Sequence, residues 1–128
     1  MVTESNLHGG KGFVRGDAFA IKRTITRIPA GVTISEAWLT VKSDYATVDA
    51  SATFQKIITS SATASGQITD IGSDGMGEVV FEISATNTLA MSADFDYYYD
   101  IQILLSNGSI RTIERGITSA LAQVTIDS

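Results

Sequence analysis

Two runs of strand-forming residues lie almost back to back late in this chain. Tyr97-Tyr98-Tyr99-Asp100-Ile101-Gln102-Ile103-Leu104-Leu105 is followed, after only Ser106-Asn107-Gly108-Ser109, by Ile110-Arg111-Thr112-Ile113. Aromatic and β-branched side chains suit a pleated surface, and Asn107-Gly108 is expected to supply the positive φ angles of a tight reversal. An antiparallel hairpin follows, and the rest of the chain must be compatible with a sheet. The best-marked element is architectural rather than catalytic.

The preceding segments repeat the theme. Ala18 to Ile28 reads as a strand with Phe19, Ile21, Arg23 and Ile25 on one face. Pro29-Ala30-Gly31 ends it, because proline lacks a ladder donor and glycine permits a turn. Thr33 to Lys42 is a second strand, with Ala37, Leu39 and Val41 facing the core. Trp38, Thr40 and Lys42 lie opposite, and Trp38 is expected to pack under an edge or loop. Ser43 to Ala52 reads as a loop containing Asp44 and Asp49. Thr53 to Thr59 is a strand, Ser60 to Gly66 an exposed loop, Gln67 to Asp70 a short strand, and Ile71 to Gly77 a glycine-rich turn.

Glu78 to Ile83 alternates again, with Val79, Phe81 and Ile83 on one face. Ser84 to Met91 is the one plausible helix, a turn or two capped by Ser84. Asp94-Phe95-Asp96 leads into the hairpin. The last strand runs from near Ile110 toward Thr118, and Leu121 to Ile126 reads as a further strand. No internal repeat is visible.

The predicted fold class is therefore all-β, with about seven short strands. The connections are too short for parallel crossovers, which take a dozen or more residues. An antiparallel sandwich is the leading architecture, and a partly closed barrel is the alternative. Side-chain parity assigns Ala37, Leu39, Val41, Val79, Phe81, Ile101 and Ile103 to the core.

With 128 residues the chain makes one domain, large enough to bury roughly two-thirds of its unfolded surface. Apolar residues are 44% and charged residues 18%, a globular balance. Cysteine is absent, so disulfides and thiolate metal sites are excluded, and neither redox compartment is favoured. No stretch approaches the ~18 apolar residues of a membrane helix. Residues 1–12 carry Glu4 and no apolar centre, so they read as a flexible arm and not a signal peptide, with the domain spanning 13–128. A net charge of −5 opposes non-specific nucleic-acid binding, and only Lys22, Arg23 and Arg27 cluster among the basic residues.

Each candidate for chemistry has a plainer explanation. His8, the single histidine, sits in the glycine-rich arm without the rigid support that a base or ligand needs. Gly9-Gly10-Lys11-Gly12 lacks the spacing and the following helix of a phosphate loop. Asp70, Asp74, Gly75 and Glu78 offer oxygens for a cation, but the spacing misses the EF-hand pattern, and turns use the same residues. Asp94, Asp96 and Asp100 flank the tyrosines without an apolar setting that would raise one pKa for glycoside hydrolysis. Tyr97, Tyr98 and Tyr99 cannot form one stacking platform, because successive strand residues alternate faces. Arg15-Gly16-Asp17 matches an adhesion tripeptide by letter only. No catalytic, cofactor-binding or metal-binding residue is assigned, no cofactor is implied, and an enzyme is not expected.

Several strings together carry a family resemblance. They are Gly16-Asp17-Ala18-Phe19, the segment from Ile28-Pro29-Ala30-Gly31 through Ala37-Trp38-Leu39-Thr40-Val41-Lys42, Tyr97-Tyr98-Tyr99-Asp100-Ile101-Gln102, and Thr112-Ile113-Glu114-Arg115-Gly116-Ile117-Thr118. From about Gly16 to Thr125 the chain resembles small β domains of tailed-phage virion proteins, such as baseplate upper proteins and tail-fibre-associated domains. The resemblance implies an immunoglobulin-like sandwich and a non-enzymatic structural role in a phage particle, as a tail or baseplate, connector or decoration piece. It implies a virion location after synthesis in the host cytoplasm. The partners would be other virion proteins and further copies of the chain, with neither nucleic acid nor membrane. Sheet edges and the arm are the expected contact elements. The alternative is a carbohydrate-binding module for host-surface glycan, built on Trp38, Tyr45 and the tyrosine run.

Overall fold

The computed structural model describes residues 13–14, 18–43, 53–91 and 96–121. The expected arm of residues 1–12 lies outside the described residues, as do 44–52 and 92–95. The elements are β1 (Phe13–Val14), β2 (Phe19–Ile25), β3 (Ile34–Lys42), β4 (Phe54–Ile58), β5 (Gly66–Asp70), β6 (Gly77–Ile83), α1 (Ala85–Leu89), β7 (Asp96–Leu105) and β8 (Ile110–Leu121). They form a larger sheet in the order β1-β8-β7-β3-β4 and a smaller one in the order β2-β6-β5. Strands β2 to β8 thus occupy positions B, C, C′, D, E, F and G of the immunoglobulin scheme, with C, C′, F and G in one sheet and B, D and E in the other. The fold is an all-β sandwich, and the barrel alternative falls away.

The interior follows from period-2 alternation. Ala37, Leu39, Val41, Val79, Phe81, Ile101 and Ile103 are each 0% exposed. Ile21, Ile25, Ile58, Ile68 and Ile83 fill the space between them. Each large aliphatic or aromatic side chain withdrawn from water contributes roughly 1.5–3 kcal/mol. α1 is the expected short helix. Ser84 Oγ accepts from Asn87 N at 3.1 Å while Asn87 Oδ1 accepts from Ser84 N at 2.9 Å, and Thr88 and Met91 are buried.

Three details differ from the sequence reading. First, β1 pairs with β8 in parallel, at Phe13↔Ala120 and Val14↔Leu121. A parallel pair needs a long crossover, and here almost the whole domain lies between the two strands. Second, Ser119 to Leu121 continue β8 rather than opening another strand, and residues 122–126 lie outside the described residues. Third, only Gly108 has positive φ in the hairpin turn, at 89°. Asn107 instead uses its side chain, accepting at Oδ1 from Ser109 N at 3.0 Å and from Ser109 Oγ at 2.6 Å. Leu105 and Ser109 close the turn, with Leu105 N donating to Ser109 O at 2.9 Å. Three residues between them make the glycine-ended loop in place of the two-residue turn that Asn-Gly suggests.

β8 carries a bulge at Ile113, since Ile101 faces Glu114 while Gln102 faces Thr112. The extra residue resets parity. Both Glu114 and Arg111 therefore turn toward the smaller sheet. Arg23 of β2 donates through Nε to Glu114 Oε1 at 2.6 Å and through Nη2 to Oε2 at 3.2 Å. Tyr99 Oη donates to the same Oε2 at 2.6 Å. Arg111 donates to the Thr26 and Arg27 carbonyls at 2.8 and 3.0 Å. The sandwich is thus closed on this side by a charged latch between the sheets.

Candidate functional site

The outer face of the larger sheet gathers the side chains that the core does not use. Parity sends Glu36, Trp38, Thr40 and Lys42 of β3 outward, together with Tyr98, Asp100, Gln102 and Leu104 of β7. Cross-strand partners share a face, so Ile57 of β4 stands beside Trp38. Ile110, Thr112, Arg115 and Ile117 of β8 stand beside Leu104, Gln102, Asp100 and Tyr98. Trp38 therefore lies on an interior strand between Ile57 and Gln102, and not beneath an edge or loop.

This face has two ends. Toward the β7–β8 turn, Ile57, Trp38, Leu104 and Ile110 form an apolar row across four strands. Trp38 and Leu104 are diagonal neighbours, because Trp38 faces Gln102 and Glu36 faces Leu104. Ile57 is 51% and Ile110 59% exposed. The indole N–H donates to Glu36 Oε1 at 2.8 Å, so its polar edge is satisfied within β3 and the ring offers an apolar surface. Toward the other end, Thr40, Lys42, Tyr98, Asp100 and Arg115 line a shallow groove of about 280 Å³. Its floor is held by Gln55 Nε2 donating to Thr40 Oγ1 at 2.9 Å and Gln102 Nε2 donating to Thr112 Oγ1 at 3.1 Å. Thr112 and Arg115 close its β8 side, and Ile117, 39% exposed, stands beside Tyr98.

The carboxylates singled out in the sequence are dispersed. Asp70 Oδ1 accepts from Gly72 N at 2.9 Å, and Asp74 Oδ1 accepts from Met76 N at 3.3 Å, each shaping its own turn. Glu78 accepts from Thr69 Oγ1 at 2.7 Å and lies 3.8 Å from Lys22 Nζ. Among the described residues no three His, Cys, Asp or Glu side chains converge. Asp96 and Asp100 share the outer face, Tyr97 and Tyr99 point into the core, and only Tyr98 faces outward. His8, Gly9 to Gly12, Arg15 to Asp17, Tyr45 and Asp94 lie outside the described residues.

The sequence reading missed the apolar row and the Arg23–Glu114 pair. The row did leave a signal. Ile57-Ile58 and Leu104-Leu105 are adjacent apolar pairs in strands, and one member of each must face outward. The pair left none, because its partners are 91 residues apart and meet only through the bulge.

Comparison with family models, curated proteins and solved structures finds no match for this chain.

Proposed function

We propose that this chain is a non-enzymatic structural component of a phage particle, a tail or baseplate, connector or decoration piece that works through protein–protein contacts. The observation that carries the reading is the apolar row of Ile57, Trp38, Leu104 and Ile110 on the outer face of the larger sheet. Contiguous exposed apolar surface rimmed by polar groups is characteristic of protein contact surfaces. The virion setting rests on the string resemblance above. Its partners are other virion proteins, met after synthesis in the host cytoplasm. Mass spectrometry of purified particles tests this: the chain is expected at a fixed copy number, and its absence from particles removes the proposal.

One observation favours a second reading, a glycan-binding face. Trp38 and Tyr98 share the face, with Thr40, Asp100, Gln102 and Arg115 between them. Aromatic faces with interleaved hydrogen-bonding groups suit sugar rings. Amide chemical shifts in β3 and β7 on adding host-surface glycan would support it; unchanged spectra at millimolar sugar exclude it.

A further inference from the structure

We propose that the outer face of the larger sheet takes a second copy of this chain, turned over about a two-fold axis that crosses the strands at the level of Leu39 and Ile101. This names a first partner for the assembly role above and rests on that reading only for its biological meaning.

The argument comes from the register. Glu36 and Leu104 lie at one level of the sheet, and Lys42 and Tyr98 at another, the two being equally far from the Leu39–Ile101 pair. Rotation about an axis at that pair superposes the two levels. Glu36 of one copy then faces Lys42 of the second, and Leu104 faces Tyr98. On β8, Ile110 sits at the level of Leu104 and Ile117 at the level of Tyr98, so the same rotation brings the two isoleucines together. Each contact occurs twice, as an isologous interface requires. Opposite charges and apolar groups meet at these outer levels, while nearer the axis Trp38 lies over Thr40 and Ile57 over Gln55, so the apolar end of each copy covers the grooved end of the other. A two-fold axis running along β3 would instead superpose like ends and place Lys42 against Lys42.

The area also fits a weak dimer. β7 has ten residues. A four-stranded face of that length covers roughly 600 Å² at the usual strand rise and spacing, against about 800 Å² per partner in a standard interface. Burying the face leaves no stranded indole donor, because Trp38 Nε1 already bonds to Glu36. The expected dissociation constant is micromolar to sub-millimolar.

Sedimentation of the full chain from about 1 µM to about 1 mM tests this, with fluorescence of Trp38, the single tryptophan, followed in parallel. The expected result is a monomer–dimer equilibrium with emission shifting to the blue as dimer forms. Ile110→Ser should weaken association at least tenfold with unchanged thermal unfolding. Glu36→Lys and Lys42→Glu should each weaken it at least tenfold, and the two combined should recover most but not all of the loss, because a lysine at position 36 cannot accept the Trp38 indole N–H that Glu36 accepts. A chain that stays monomeric at 1 mM overturns the proposal, as does a dimer indifferent to these substitutions. A monomer whose Trp38 emission responds to glycan instead overturns it in favour of a saccharide occupant. A monomeric chain found in purified particles would end this inference and leave the structural role standing; a dimer absent from particles would do the reverse.

Discussion

The two sheets turn outer faces of opposite character to their surroundings. On the smaller sheet the outward residues are Ala20, Lys22 and Thr24 of β2, Glu78, Val80 and Glu82 of β6, and Gln67 and Thr69 of β5. Lys22 and Glu78 approach across the strands at 3.8 Å, and Thr69 bonds to Glu78. This is a face built for water, where an exposed ion pair is worth little. The larger sheet instead exposes Ile57, Ile110 and Ile117 beside Trp38 and Tyr98. Both sheets bury the same kind of inner face, so the core does not explain the difference. One side of the sandwich presents charged and polar groups to water, and the other leaves large apolar side chains uncovered.

That contrast can be broken most forcefully at the shared interior, where a substitution should act on stability alone. Gly66 has φ of 128°, and an added Cβ would lie 2.0 Å from the Val80 carbonyl oxygen of the paired strand. Gly66→Ala is expected to cost more than about 3 kcal/mol in urea unfolding, through strain at a backbone that cannot retreat. A loss below about 1 kcal/mol would mean that β5 does not lie as described. Glu114→Ala comes next. It leaves the Arg23 guanidinium and the Tyr99 hydroxyl without their shared acceptor, in a site where the paired side chains are only 16% and 17% exposed. About 3 kcal/mol should be lost, and Arg23→Met together with Glu114→Leu should recover most of it. If the double variant is as weak as the single one, the charged latch contributes more than its desolvation costs.

The outer faces themselves should respond unequally. Ile57→Ser should change folding stability by less than about 1 kcal/mol while reducing incorporation into particles, whereas Lys22→Ser on the smaller sheet should change neither. Equal effects from the two faces, read by melting and by quantifying the chain in particles, would abolish the distinction.

The smallest effect concerns Lys56, on the inward side of edge strand β4. Burial lowers its pKa below the usual 10.5. In the window between the folded value and 10.5 the unfolded chain binds more protons, so this residue's contribution to stability rises with pH there; below that window the cost of holding the charge is fully present. Lys56→Met should gain up to about 0.5 kcal/mol at pH 7, with the gain shrinking toward pH 10.5. Solvent around the half-exposed ammonium keeps the effect this small; urea titrations of both proteins across that range check it, and a gain independent of pH would rule out the partly desolvated charge as its source. The variant should also aggregate more readily, because an inward-pointing lysine guards a sheet edge against pairing.

Much of the molecule was decided by local chemistry. Alternation along Ile34–Lys42, Gly77–Ile83 and Asp96–Leu105 placed the core without reference to any distant residue, since strand parity is a property of the backbone. Ser84 and Asn87 capped the helix, and Gly108 ended the hairpin turn, for reasons contained within a few neighbouring residues. Tertiary structure decided what depended on pairing. The bulge at Ile113 turned Arg111 and Glu114 toward the other sheet, β1 and β8 met in a parallel pair, and register brought Ile57, Trp38, Leu104 and Ile110 into one row. None of these could be read from one strand alone, because each depends on which residues of two paired strands settle opposite one another, and a shift of a single residue would have sent the same side chains to the opposite face.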